Sequence, residues 1–224
     1  MNQEQWEHFY RSICLDFDFD PDLDFKSSLL LSSILQDKSR KELLEKFRGD
    51  TFYVVGNGPN LSQALDLIGK GTTIVADSAL EVFLESGRVP DIVVTDLDGS
   101  IASLRNAYNM GAIMVIHAHG DNRKLISEYA EEFSGNAVGT TQNRPVDGIY
   151  NFFGFTDGDR AAYIAHYLDA VKIYLVGFDF ETPVSKESTD PSRKKRKLNW
   201  AKTLLEELSK ERGTSLGGGP IIPL

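Results

Sequence analysis

Asp96 and Asp98 stand one residue apart near the end of the run Asp91–Ser100, D-I-V-V-T-D-L-D-G-S. Ile92, Val93 and Val94 read as a buried strand, so both acids fall where that strand ends. Carboxylates this close repel one another and resist desolvation. A divalent cation removes that cost. Oxygen-only ligands suit Mg²⁺ or Mn²⁺, which bind with few carboxylates and leave room for phosphate oxygens. A plainer role is also open, in which both acids cap a helix beginning near Gly99.

Other strand ends carry polar groups too. Gly56-Asn57-Gly58-Pro59-Asn60 follows an apolar run and opens a helix. Its glycines permit close backbone approach, and Asn60 is placed to cap the helix, whose free N–H groups attract an anion. The run is no dinucleotide fingerprint, because Leu61 stands where the third glycine belongs. Nor is G-K-G-T-T at 69–73 a P-loop, since Gly71 interrupts the Lys-Ser/Thr pair and Ala64 replaces the upstream glycine. The competing reading of 56–60 is a tight turn, against phosphate or ribose contact. In A-D-S-A, Asp77 and Ser78 follow the next strand, with Asp77 an N-cap or a metal ligand.

H-A-H-G-D-N at 117–122 follows a fourth strand. His117 and His119 point the same way if the strand continues that far. Two histidines without a third soft ligand argue weakly for zinc. His119 is instead placed to donate to a phosphate or leaving oxygen, whereas His117 equally fits a satisfied, partly buried ring. Asp121 offers a third carboxylate for a hard cation, and Lys124 could share its face. G-F-T-D-G-D-R-A at 154–161 sets Thr156, Asp157, Asp159 and Arg160 at a helix entrance, as caps or as phosphate donors. R-K-K-R-K at 193–197, with Lys194 and Lys195, is a solvated helix face or a mobile basic lid beside the loop holding Pro183 and Pro191.

These groups need a scaffold. The chain has 224 residues, 41% of them hydrophobic, enough for one medium domain with a full core. A net charge of −9 argues against a nucleic-acid backbone as partner. The single cysteine, Cys14, excludes an internal disulfide and reads as a core residue. No apolar run approaches a membrane span and the acidic start is no signal peptide, so a cytoplasmic protein is expected.

Residues 1–48 read as helical, with Trp6, Phe9, Tyr10 and Ile13 on one stripe and a second helix over Leu29–Phe47. The acidic break between them, Asp16–Asp22, lacks the glycine of a calcium loop and reads as a solvated turn with docked aromatics. Strands then alternate with helices over 49–224, ending in a basic helix and a Gly-rich tail. The expected class is α/β: a mostly parallel open sheet flanked by helices, with an N-terminal helical region. Ligands in such sheets sit outside the carboxyl ends of the strands, where the polar clusters above converge.

Taken together, V-V-G-N-G-P-N-L, A-D-S-A, P-D-I-V-V-T-D-L-D-G, H-A-H-G-D-N and G-F-T-D-G-D-R-A resemble the archaeal 6-hydroxymethyl-7,8-dihydropterin pyrophosphokinases, a family similar to thiamin pyrophosphokinase. The resemblance runs from about Phe52 to Lys197. It implies Mg²⁺-dependent transfer of diphosphate from ATP to the pterin hydroxymethyl group, leaving AMP. It further implies a cytosolic, oligomeric enzyme of folate-type or methanopterin-type cofactor synthesis, with small-molecule substrates. Asp96 and Asp98 match the family's acidic pair and Asp77 the acid of its A-D-G-like turn, with Ser78 where glycine is common. Asp121 and Lys124 resemble the D-x-x-K element of thiamin pyrophosphokinase, and Asn60 departs from a frequent serine.

On this reading Asp96, Asp98 and Asp121 hold the cation, with His119 beside them. Gly56 to Asn60, Arg160 and a lysine of the basic run clamp the phosphates. Gln142, Asn143, Asp147, Phe152 and Phe155 are candidates for the pterin edge and face. The rivals are a nucleotide-sugar glycosyltransferase using the same D-x-D pair, thiamin pyrophosphokinase, and a non-catalytic nucleotide-binding regulator.

Overall fold

The computed structural model describes residues 1–36, 39–182 and 190–224. Its strands are β1 (Thr51–Val55), β2 (Thr72–Ala76), β3 (Ile92–Thr95), β4 (Ile113–Ala118), β5 (Ala137–Thr141), β6 (Ile149–Tyr150), β7 (Lys172–Val176) and β8 (Ile221–Pro223). The helices are α1 (Gln3–Phe17), α2 (Pro21–Leu35), α3 (Glu42–Glu45), α4 (Leu61–Ala64), α5 (Asp77–Glu85), α6 (Ile101–Asn109), α7 (Arg123–Tyr129), α8 (Asp157–Tyr167) and α9 (Pro191–Glu211). The strands form one sheet in the order β6-β5-β4-β3-β2-β1-β7-β8. Pairing is parallel from β6 to β7, and β8 closes the edge antiparallel to β7. This is the α/β class expected from the alternating pattern.

The central strands are continuous apolar runs because both faces of the sheet are covered. On β1, Phe52 and Val54 face a layer containing α1, α8 and α9, whereas Tyr53 and Val55 face one containing α2, α4, α5, α6 and α7. Residues 1–48 contribute to both layers. Trp6 and Ile13 enter the first, and Leu31 and Leu35 the second. Trp6 also donates its indole N–H to the Gln142 carbonyl at 2.8 Å, which ties α1 to the loop after β5.

The N-terminal helices differ from expectation in extent. Asp20 accepts the Asp22 N–H at 2.9 Å and Pro21 occupies the first helical position, so the acidic break starts α2 instead of remaining a loop. The helix expected over Leu29–Phe47 is accordingly the end of α2 followed by the separate, short α3. Among the described residues no helix is long and apolar enough to cross a membrane.

From β1 the chain steps outward through β2 to β6, then returns to place β7 on the other flank of β1. Strand order reverses there, which opens a crevice at the carboxyl ends of β1 and β7. The two loops meet backbone to backbone, with Gly58 N–H donating to the Gly177 carbonyl at 2.6 Å. A Cβ at Gly58 would lie 2.6 Å from that oxygen, and Gly177 itself sits at φ +67°. Only residues without a side chain permit this approach.

Candidate functional site

A cleft of about 440 Å³ lies over the carboxyl ends of the strands. The ends of β3 and β2 supply its acids. Thr95, the last residue of β3, donates its hydroxyl to Asp77 Oδ2 and accepts the Leu97 N–H at 2.8 Å. Leu97 is buried and adopts φ +67°, a conformation that side chains other than those of Asn and Asp seldom adopt. This strained residue links Asp96 to Asp98, and strain of this sort gathers at functional sites. The β2–β3 pairing sets Asp77 beside them. One carboxylate oxygen from each of Asp77, Asp96 and Asp98 lies within 4.8 Å of the others.

The electrostatics of this trio call for a cation. Asp77 is 5% exposed, and burial, reinforced by the Asp96 and Asp98 charges against the Thr95 hydrogen bond, pushes its carboxyl up to about 6. Its Oδ1 is buried and accepts no hydrogen bond among the described residues. Burial alone would also raise Asp96, but hydrogen bonds from His119 and then Asp98 bring it down to about 2. Asp157, at the start of α8, is pushed well above the usual carboxylate range by burial and then by Asp96. An orphaned oxygen in an all-carboxylate set fits a hard divalent cation.

The loop after β4 braces Asp96. His119 Nδ1 accepts the Asp121 N–H at 3.3 Å, which assigns the proton to Nε2, 3.2 Å from Asp96 Oδ2. Asn122 is buried and donates to the Asp96 carbonyl at 2.8 Å and the His117 carbonyl at 2.7 Å, joining the β3 and β4 loops. Asn122→Ala therefore removes both bonds, the one to His117 in a fully buried setting. We expect a loss of about 2–4 kcal/mol of folding stability, read from urea unfolding.

The residues named from the sequence fall into distinct places. Gly56, Asn57, Gly58, Ser78, Asp96, Asp98, His119, Asp121, Thr156, Asp157, Arg160 and Lys194 line the cleft. Asp121 reaches its wall but stands outside the trio, whose third member is Asp77. Pro59, Asn60, Asp77, Lys124, Asp159 and Lys195 are not on the lining, Asp77 lying buried behind Asp96 and Asp98 in the trio. Asn60 makes no side-chain cap bond, and α4 has only four residues, too short to present an anion site. Asp159 turns inward, accepting the Phe155 N–H at 2.6 Å and the Thr156 N–H at 2.8 Å as a cap of α8.

Two basic residues are likewise engaged. Lys195 Nζ is bound by the Phe180 carbonyl at 2.9 Å and Glu181 Oε2 at 2.9 Å. Arg160 is 1% exposed, and its Nη2 donates to His117 Nε2 at 3.0 Å and to the carbonyls of Gly154 and Phe155. That guanidinium braces the cleft floor, and His117 is a buried ring satisfied by Arg160 and Thr140. Of the expected pterin contacts, Gln142 and Phe155 line the cleft, whereas Asn143, Asp147 and Phe152 do not.

Two further parts complete the cleft: the basic run already named from the sequence, and a second contributor that sequence reasoning overlooked. Arg193, Lys194, Lys197, Leu198 and Ala201 form one face of α9 that lines the cleft. Arg193 lies over the rings of Phe17 and Phe19, and Arg196 binds Asp16 Oδ1 at 3.0 Å, fastening the end of α1 and the segment after it to α9. Pro183, part of the expected lid, lies outside the described residues. The second contributor is that same segment, through Asp18, Phe19, Leu23 and Asp24. Its alternating Asp and Phe were the available signal.

A family model described as 6-hydroxymethylpterin diphosphokinase MptE-like matches residues 30–184. A 6-hydroxymethyl-7,8-dihydropterin pyrophosphokinase of Pyrococcus furiosus is 42% identical over 221 residues, spanning 93% of this chain and 94% of that protein. Proteins of the same name from Methanocaldococcus jannaschii and Methanothermobacter thermautotrophicus are 34% and 36% identical, each over at least 93% of this chain and 96% of their own length. With the match extending across both the N-terminal helices and the cleft, the chain belongs to the MptE-like 6-hydroxymethylpterin diphosphokinase family.

Proposed function

We propose that this protein transfers diphosphate from ATP to the hydroxymethyl group of 6-hydroxymethyl-7,8-dihydropterin with Mg²⁺, releasing AMP, as a cytoplasmic enzyme of folate-type or methanopterin-type cofactor synthesis. The observation that carries this reading is the Asp77–Asp96–Asp98 trio, with its orphaned Asp77 oxygen, two of whose acids line one cleft together with a basic helix. Mg²⁺ bound by these carboxylates would neutralise phosphate charge. The family relationship supplies the acceptor.

In the reaction the hydroxymethyl oxygen bonds to the β-phosphorus as the bond from that phosphorus to the α,β-bridging oxygen breaks. AMP departs with that oxygen, and the hydroxyl proton passes to a cleft carboxylate or to water. Such transfers depend mostly on positioning and charge stabilisation. Arg193, Lys194 and Lys197 attract the triphosphate, the glycine contact between the β1 and β7 loops admits it to the crevice, and His119 holds Asp96 in place.

Chromatography of a mixture of protein, ATP, Mg²⁺ and the reduced pterin tests this. AMP and pterin diphosphate should accumulate one to one, with thiamin failing to replace the pterin and nucleotide sugars releasing no diphosphate. Formation of ADP, turnover of thiamin, or cleavage of a nucleotide sugar contradicts the proposal.

A further inference from the structure

The cleft contains a carboxylate that this reaction scheme leaves unused. Asp24, in the first turn of α2, is 3% exposed and lines the wall beside Gln142, which is 4% exposed. Among the described residues its hydrogen-bond donors are all neutral. The Tyr10 hydroxyl and Gln142 Nε2 each reach Oδ2 at 2.7 Å, and the Gly120 N–H reaches Oδ1 at 2.6 Å. Holding a buried carboxylate among neutral donors is costly, and a neutral side chain would bridge the same elements more cheaply. The oxygens are unequal as well: Oδ2 accepts two bonds and Oδ1 one, so Oδ1 keeps acceptor capacity.

The surroundings define what that oxygen can meet. Phe19 and Leu23 also line the cleft, and the Phe19 ring lies 6.3 Å from that of Phe155 at 57°. These are faces for a flat, apolar body. Gly120 follows His119 directly, so a single loop holds Asp24 on one side and Asp96 on the other. The opposite end of the cleft, at β1 and β7, is built from glycine backbone, Phe178 and Asp179.

We propose that Asp24, steadied by Tyr10 and Gln142, binds the N–H donor edge of a 2-amino-pyrimidinone ring through Oδ1, while Phe19, Leu23 and Phe155 cover the ring faces. This rests on the diphosphokinase reading and adds to it a direction: the acceptor heterocycle occupies the β4–β5 side and ATP the β1–β7 side. The acid supplies what an aminopyrimidinone edge demands, an acceptor facing adjacent N–H groups, and a charged acceptor strengthens that bond.

Asp24→Asn tests the assignment, with pterin binding followed by the pterin's own fluorescence and ATP binding by calorimetry. The dissociation constant for 6-hydroxymethyl-7,8-dihydropterin should rise about 10- to 100-fold, as for loss of a hydrogen bond to a charged group. ATP affinity should stay within about twofold, since its contacts lie elsewhere in the cleft. The analogue carrying a 2-oxo group in place of the 2-amino group should lose less in the variant than the pterin does, an effect that general loosening would not produce. Should Asp24→Asn melt below the assay temperature, Leu23→Ala carries the test, with about a tenfold loss for the pterin and less than about twofold for ATP. Unchanged pterin affinity, or equal losses for both ligands, overturns the assignment. A wild-type protein that neither binds nor converts the pterin overturns the diphosphokinase reading itself.

Discussion

Asp96→Asn and Asp98→Asn should each lower turnover by about 10³-fold or more while leaving the fold intact. Asp96 stays ionised because the His119 and Asp98 interactions outweigh the effect of burial. Asparagine keeps the shape and can still accept the His119 hydrogen bond, and the Asn122 bond runs to the main-chain carbonyl, which the substitution spares. What disappears is negative charge in a trio whose oxygens stand within 4.8 Å of one another. Because the fold favours the ionised Asp96, the urea midpoint should fall modestly in Asp96→Asn, with both variants still folded as activity is lost. Steady-state kinetics beside urea unfolding checks both halves. Near wild-type rates in both variants would rule out the trio as the working centre.

Gly99→Ala should be nearly as damaging for a different reason. A Cβ at residue 99 would lie 1.8 Å from Asp77 Oδ1 and 2.6 Å from its Cγ. Asp77 is held by the Thr95 hydroxyl and by the Gly99 N–H at 3.3 Å, so it has nowhere to retreat without giving up both. The methyl group therefore displaces the orphaned oxygen from the trio. Because displacement by about 1 Å can cost about 100-fold in rate, a loss of that order is expected. Gly87→Ala serves as the control: nothing lies within 4 Å of its Cβ, although its φ of +78° brings a modest backbone cost. Rates for Gly99→Ala matching those of the control would contradict the placement of Asp77.

The parallel sheet was legible because buried strands such as Val93–Val94 and Ile113–Ile116 are short apolar runs punctuated by Gly and Asp. The edge strands were not, since β6 and β8 have only two and three residues and show no periodicity. The D-x-D pair stood out locally, but its third partner depends on strand order. Asp121 is near in sequence to the histidines, whereas Asp77 reaches the pair only because β2 lies next to β3. Asp24 was hidden more deeply: it meets Gly120 and Gln142 across 96 and 118 residues, and only tertiary packing reveals its burial. For Asp159 the sequence left a cap and a ligand role open, and the cap is what forms, while Arg160, read as a phosphate donor, is buried in hydrogen bonds to its own loop and to His117.

Electron paramagnetic resonance titration of Mn²⁺ as a stand-in for Mg²⁺, with a non-hydrolysable ATP analogue present, goes straight to the centre of this account. Wild-type protein should immobilise the ion, and Asp77→Asn, Asp96→Asn and Asp98→Asn should each weaken that binding by at least about tenfold. Wild-type affinity for Mn²⁺ in all three variants would contradict it.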